Sequence, residues 1–114
     1  MAATPVLNIV LKQSEDYSVT GTITDNGVAV DISGWTLKAD IKTSYSQAET
    51  AMAAFAFGLV TDGTDGKYTR SITKAEIAAL PVTSAVWDQF YTVGGLSAKM
   101  LTGTVTVEPS ATST

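Results

Sequence analysis

The sequence predicts an all-β fold, an antiparallel β-sandwich of about seven strands, on three observations. The 114 residues include 18 Thr and 11 Val against seven Leu, a composition that favours pleated strands over helices. Apolar and polar side chains alternate along several short segments, as expected for sheets with one buried face. Turn sequences rich in Gly and Asp separate those segments. Together these features fit a single-domain sandwich.

Four segments alternate between apolar and polar residues with period two, which predicts strands that are buried on one face and exposed on the other. They are residues 17–24, 35–42, 68–72 and 101–108. In the second segment Trp35 heads the apolar face, so core packing is expected for it. The third alternates least regularly, because Arg70 lies between Tyr68 and Ile72 on the same face.

Three further strands have a less regular pattern. They are residues 6–12, 53–60 and 86–93. The last of them carries large residues on both faces, with Phe90 on one and Trp87 and Tyr91 on the other. A strand that is apolar on both faces lies either at the centre of a core or in an interface.

One short helix is predicted at residues 73–80. Thr73 and Glu76 have the spacing of a capping box, in which each side chain binds the backbone amide of the other residue. Pro81 then ends the helix after two turns. Residues 46–49 have the same spacing, so a helical turn is possible there as well.

The chain divides into three parts on this pattern. Residues 1–5 form an N-terminal arm, residues 6–108 the β-sandwich domain, and residues 109–114 a C-terminal tail. The two ends are rich in Ala, Ser and Thr and show no periodicity. We expect them to fray in isolation or to become ordered against a neighbouring subunit.

Composition excludes several classes of function. The chain has no Cys and no His, which removes disulfides, thiolate nucleophiles, Cys-based zinc sites and the usual general base. The net charge of −4 argues against a nucleic-acid partner. The apolar runs are too short to cross a bilayer. We therefore expect a non-enzymatic protein with no cofactor, no metal and no membrane partner, although an acidic pair could still serve acid–base chemistry.

Two acidic motifs are the only candidates for such chemistry. Asp62, Asp65 and Gly66 resemble part of a calcium loop, but they lack the alternating ligands and distal Glu of an EF-hand, so a pair of β-turns is the better interpretation. Glu15 and Asp16 are adjacent on a strand and therefore point to opposite faces.

Two segments are candidates for a protein interface. Residues 6–12 place apolar side chains on a strand with little edge protection, and an unguarded strand invites pairing with a neighbouring sheet. The aromatic cluster on strand 86–93 fits either an interface or the core, since aromatic residues are enriched in both. An aromatic platform for a carbohydrate, which would include Trp35, is a further possibility. The predicted interface residues are Leu7, Ile9, Leu11, Trp87, Phe90 and Tyr91.

Three motifs give the chain a family resemblance. Residues 31–42 (DISGWTLKADIK) resemble the "D-L-T-G-Y-T" strand of small tailed-phage structural proteins, and residues 71–81 (SITKAEIAALP) are similar to their "L-T-x-x-E-T-A-x-L" helix. Residues 101–107 (LTGTVTV) resemble their closing "L-x-G-x-V-x-V" strand. In this order, and over nearly the whole chain, the motifs resemble the N-terminal domain of the phage baseplate upper protein.

The resemblance implies an immunoglobulin-like sandwich and a structural role in a tailed-phage virion. It favours a tail or baseplate component that helps to attach fibres, with other virion structural proteins as partners in a multi-copy assembly. A capsid decoration or cement protein is the alternative, and a carbohydrate-binding module that contacts a host glycan is a further alternative. Fold alone does not choose among them.

Overall fold

The computed structural model describes residues 5–45, 50–80 and 84–109, and β-strands dominate it. One short helix, α1 (Lys74–Ala78), joins the eighth strand to the ninth. The strands are β1 (Ile9–Lys12), β2 (Tyr17–Thr22), β3 (Thr24–Asp25), β4 (Val28–Ala29), β5 (Thr36–Lys42), β6 (Ala53–Ala54), β7 (Ala56–Leu59), β8 (Lys67–Ile72), β9 (Ser84–Val93) and β10 (Leu96–Glu108).

The strands form two packed sheets and a small hairpin. One sheet has five strands in the order β1-β10-β9-β5-β6, and the other has three in the order β2-β8-β7. All pairs are antiparallel except β1 with β10, which run parallel. This arrangement is an immunoglobulin-like sandwich, and it confirms the predicted fold class.

The core lies between the inner faces of the two sheets. Along β10, the inward residues Val105 and Val107 are buried, whereas Thr104 and Thr106 are exposed, as the alternation predicts. The core cluster draws on β1, β5, β8, β9, β10 and the helix. It consists of Ile9, Leu11, Ala39, Ile41, Phe55, Ile72, Ile77, Leu80, Ala85, Trp87, Val105 and Val107.

Residues 53–60 differ from the prediction of one continuous strand. The chain leaves β6 in the five-stranded sheet and enters β7 in the three-stranded sheet, with Phe55 between them. The Phe55 amide donates to the Ala39 carbonyl oxygen at 3.0 Å, and the Phe55 ring is buried against Trp87 and Tyr17. Burial of this ring fixes the point where the chain crosses from one sheet to the other.

The helix keeps its predicted start but is shorter than predicted. The Thr73 hydroxyl accepts the Glu76 amide, and the Glu76 carboxylate accepts the Thr73 amide, so the capping box is present. Ala79 caps the other end, while Pro81 and residues 46–49 lie outside the described residues. Ile77 is fully buried, which anchors the helix at one end of the core.

The N-terminal segment runs parallel to β10 and approaches it closely at Gly103. The Leu7 amide donates to the Thr102 carbonyl at 2.8 Å, and the Leu7 carbonyl accepts the indole N–H of Trp87 at 2.8 Å. The side-chain carbonyl of Asn8 accepts the Thr104 amide at 3.1 Å. A Cβ atom at position 103 would collide with the Leu7 backbone, so only glycine fits there.

A charged side chain, Arg70, lies inside the core with 4% of its surface exposed. Its guanidinium donates to Gln89 Oε1 at 2.9 Å and to the Tyr17 hydroxyl at 3.1 Å. Its Cζ lies 4.9 Å from the centroid of the Trp87 ring, within the range of a cation–π contact. The residue that disturbed the predicted alternation of β8 is therefore an inward-facing core residue.

Substitution of the helix cap should destabilise the fold. We expect Thr73→Ala to lower the free energy of unfolding by about 0.5–2 kcal/mol, because the Glu76 amide loses its acceptor. Thr73→Ser keeps the hydroxyl and should stay close to the unaltered protein. Urea melts of the two variants make the comparison, and equal stability would contradict the capping role.

Substitution of Gly103 should also destabilise the fold. We expect Gly103→Ala to cost about 1–3 kcal/mol, because the added methyl group forces the Leu7 backbone away from β10. Gly34→Ala is the matched control, since no atom would lie within 4 Å of its added carbon. If both variants melt at the same urea concentration, the close approach of the Leu7 backbone to Gly103 is not a constraint on the fold.

Candidate functional site

The outer face of the five-stranded sheet carries a concave site of about 360 Å³. Outward side chains of β5, β9 and β10 line it, together with the segment that follows β5. Concave surfaces that combine aromatic and charged groups are common binding sites. The lining residues are Lys38, Asp40, Lys42, Ser44, Tyr45, Val86, Trp87, Asp88, Phe90, Thr92, Ser97 and Lys99.

Phe90 lies on the middle strand of this site, and the register places a lysine on each side of it. It pairs with Lys38 on β5 and with Lys99 on β10. The Lys99 ammonium lies 5.7 Å from the centroid of the Phe90 ring and 6.0 Å from that of Tyr45. Both distances allow cation–π attraction, so the site combines aromatic rings with a positive charge.

Two carboxylates face each other across neighbouring strands of the same site. Asp40 on β5 pairs directly with Asp88 on β9. Like charges directly opposite each other destabilise a sheet. Lysines offset the repulsion, since Lys38 lies 4.0 Å from Asp40 and Lys99 lies 3.6 Å from Asp88. Half-exposed ion pairs of this kind contribute little to stability, so folding does not explain this arrangement.

Tyr45 closes one side of the site and is tied to β10. Its hydroxyl donates to the Gly103 carbonyl oxygen at 2.6 Å and accepts the Thr102 hydroxyl at 3.3 Å. Even so, Tyr45 is 56% exposed. An aromatic ring that is fixed by a hydrogen bond and still exposed can contact a partner with little loss of side-chain entropy.

The structure divides the predicted interface residues into two groups. The side chains of Ile9, Leu11 and Trp87 are buried in the core, so predicting them as interface side chains was wrong. Their strands face the second sheet on that side, and the alternation could not show which face points inward. Leu7 is 38% exposed, and Phe90 and Tyr91 are half-buried, so an interface role for these three stays a prediction.

The aromatic platform considered for a carbohydrate does not form. Trp35 is half-buried and stacks on Tyr91, with 4.5 Å between the ring centroids and 19° between the ring planes. Trp87 is in the core, and Phe90 is on the opposite face of its strand. The four rings therefore do not share an exposed surface. Apart from the buried Trp87, the aromatic residues that line the concave site are Phe90 and Tyr45.

Sequence reasoning missed most of the concave site. Lys38 and Asp40 belong to the polar face of a predicted strand, and that pattern predicts only exposure to solvent. Asp88, Lys99 and Tyr45 carry no motif in the sequence. The available signal was charge alternation along β5 beside an aromatic residue on β9, but only the strand register brings them together.

The acidic turn at residues 61–67 holds itself together by hydrogen bonds. The Asp62 carboxylate accepts the Thr64 hydroxyl at 2.7 Å and the Thr64 amide at 3.1 Å. Asp65 accepts the Lys67 amide at 3.0 Å and the Thr61 hydroxyl at 3.2 Å. Within the described ranges, no group of three or more acidic, His or Cys side chains is placed to hold a metal ion.

Two carboxyl groups have lowered pKa values because of such turns. The hydroxyl and amide of Thr64 hold the pKa of Asp62 below its ordinary value. The amide and hydroxyl of Ser33 do the same for the pKa of Asp31.

The described part of the chain also contains no helix long and apolar enough to span a membrane.

Comparison with solved structures shows the same fold in a phage protein. The N-terminal domain of phage TP901-1 ORF48 is 13% identical, with a TM-score of 0.51, over 90% of this chain and 94% of that domain. The extracellular domain of the voltage-gated sodium channel β4 subunit is 8% identical, with a TM-score of 0.45, over 96% and 97% of the two chains. No protein-family model and no curated protein matches the sequence.

The lowered carboxyl pKa values predict acid sensitivity. A group with a depressed pKa in the folded state stabilises the fold above its unfolded pKa, about 3.9 for Asp, and this stability is lost as the pH falls through the folded value. We expect Asp62→Asn to weaken the fall of unfolding free energy below about pH 4, measured by urea melts. A calcium-dependent rise in melting temperature at neutral pH would contradict the interpretation that hydrogen bonds within the turn, and not a metal ion, occupy these carboxylates.

Proposed function

We propose that this chain is a non-enzymatic structural protein of a tailed-phage virion, where it forms part of the tail or baseplate. The observation that carries this proposal is the shared fold with a phage domain, which covers 90% of this chain. The three ordered motifs of the sequence support it independently. The absence of His and Cys from the chain is consistent with a binding role and not a catalytic one.

The concave outer face is the surface that would contact a neighbouring virion protein. It combines aromatic rings at Phe90 and Tyr45 with opposed carboxylates at Asp40 and Asp88. Interface centres are enriched in aromatic residues, and charges placed around them favour one partner and one orientation. The opposed carboxylates are offset only by partly exposed lysines, so a partner that supplies complementary charges would stabilise the arrangement.

Two other regions would extend the contact. Leu7 and Tyr91 are partly exposed and remain candidates from the sequence. The arms at residues 1–5 and 109–114 are proposed to contact adjacent subunits, although only Pro5 and Pro109 of these arms belong to the described residues.

A protein inventory of purified particles tests the proposed role. Mass spectrometry of particles from the phage that encodes this chain should detect it, and immunogold labelling should place it on the tail. Labelling of the capsid would instead support the decoration-protein alternative. Absence from purified particles would contradict any virion role, and binding on a glycan array would favour the carbohydrate alternative.

Truncation of the outer-face aromatic should impair assembly. We expect Phe90→Ala to reduce incorporation into particles about tenfold or more, since loss of an aromatic anchor typically costs at least about 2 kcal/mol of binding. Leu59→Ala is the control, because Leu59 is an exposed apolar residue on the other sheet, away from the outer face.

Incorporation is measured by quantitative mass spectrometry after urea melts have shown that both variants fold. A chain that lacks residues 1–5 and 109–114 tests the arms in the same assay. If Phe90→Ala is fully incorporated and the truncated chain is not, the arms and not the outer face make the contact.

A further inference from the structure

A second cleft lies at the open side of the sandwich, between the edge strands β1 and β2. It has a volume of about 410 Å³ and is separate from the concave site on the outer face. β1 is the edge of the five-stranded sheet and β2 is the edge of the three-stranded sheet. The cleft is lined by inward residues of β2, by residues of the N-terminal segment and by Arg70.

The backbone of β2 presents unpaired hydrogen-bonding groups to this cleft. The Ile23 amide donates to the carbonyl of Gly66, the residue opposite it in the register of β2 and β8, at 2.8 Å. This bond shows which alternate residues along β2 are hydrogen-bonded to β8. Because paired residues alternate with unpaired ones, the amides and carbonyls of Ser18, Thr20 and Thr22 point away from β8. In the described part of the chain, no backbone bond occupies these groups.

The open edge of β2 lacks the usual protection against strand pairing. Its sequence, YSVTGT, contains no Lys, no Pro and no charged residue. Its inward side chains, including Val19, are only half-buried, whereas their partners on β8 are buried. The inner face of the sandwich is therefore incompletely covered along this edge.

Arg70 gives the cleft a charge that the described residues do not neutralise. It lies directly across from Val19 and is 4% exposed. No carboxylate of the described chain forms an ion pair with it, and its Nε has no hydrogen-bond partner. A buried cation of this kind is costly unless a carboxylate or a full set of acceptors is present.

We propose that this cleft binds an extended acidic segment of a partner protein, which adds to β2 as an extra strand. The segment would pair with the free backbone groups of β2, and a Glu side chain facing Val19 would direct its carboxylate to the Arg70 guanidinium. The backbones of β8 and the added strand would lie about 10 Å apart, a distance that Arg and Glu side chains span together. Five or six residues cover the length of β2.

The chemistry of the cleft selects this occupant over others. Backbone pairing requires an extended peptide, since the free groups of Ser18, Thr20 and Thr22 follow one another along a strand edge. The buried guanidinium selects a carboxylate, because charged groups without compensation are strongly unfavourable in an interior. The inference does not depend on the place of the chain in a virion.

Two matched peptides test the proposal on the unaltered chain. The probes are acetyl-Val-Thr-Glu-Thr-Val-amide and the same peptide with Gln in place of Glu, titrated to about millimolar concentrations. Binding is followed by ¹H–¹⁵N NMR of the Arg70 Nε–H and of the backbone amides of Ser18, Thr20 and Thr22. We expect the Glu peptide to shift all of these signals and to bind about tenfold more tightly than the Gln peptide.

Two variants of the edge test strand pairing separately from charge. Thr20→Pro removes one edge amide that does not bond to β8, so it should fold and lose peptide binding. Thr20→Val keeps the amide and should bind as the unaltered chain does. If Thr20→Pro binds equally well, strand addition is wrong.

Three other results would also overturn the proposal. They are no binding of either peptide, equal binding of the Glu and Gln peptides, and shifts confined to the outer-face residues. Inorganic phosphate is the control for a simple anion site. If phosphate shifts the Arg70 Nε–H as strongly as the Glu peptide does, without affecting the β2 amides, the cleft binds anions and not a strand.

Discussion

The sandwich is organised around a buried guanidinium that groups from both of its sheets contact. Arg70 belongs to the three-stranded sheet. It donates a hydrogen bond to Gln89 in the other sheet and lies over the Trp87 ring of that sheet. Tyr17 supplies a second acceptor from the edge strand of its own sheet. Burial of an unsatisfied charge would cost several kcal/mol, so the two sheets pack stably only in the registers that bring these groups together.

Trp87 connects this buried charge to the N-terminal segment. The face of its ring lies over Arg70, while its indole N–H donates to the Leu7 carbonyl. The Leu7 backbone can approach only because position 103 is a glycine. One side chain therefore joins the charge in the core to the strand that closes the larger sheet. Core packing and edge position depend on each other in this molecule.

Local patterns predicted the fold well, and contacts between distant strands were not predictable. The capping box at Thr73 and Glu76 depends on four successive residues, so the sequence alone identified it. The passage of the chain between sheets at Phe55 could not be seen, because alternation does not say which sheet a strand joins. Likewise, the concave outer face brings Lys38 and Lys99 beside one ring only through the pairing of three strands.

The parallel pairing of the first and last strands determines how the sandwich responds to tension. Because β1 and β10 run in the same direction, Pro5 lies beside Thr102 and Gln13 lies beside Glu108, at opposite ends of the ladder. A force that pulls Pro5 and Pro109 apart therefore shears the two strands along their length. All the hydrogen bonds of the ladder then bear the load together instead of opening one after another. Forced unfolding is governed by the rate of crossing the unfolding barrier, and a ladder whose bonds must break together needs a larger force than one whose bonds open singly.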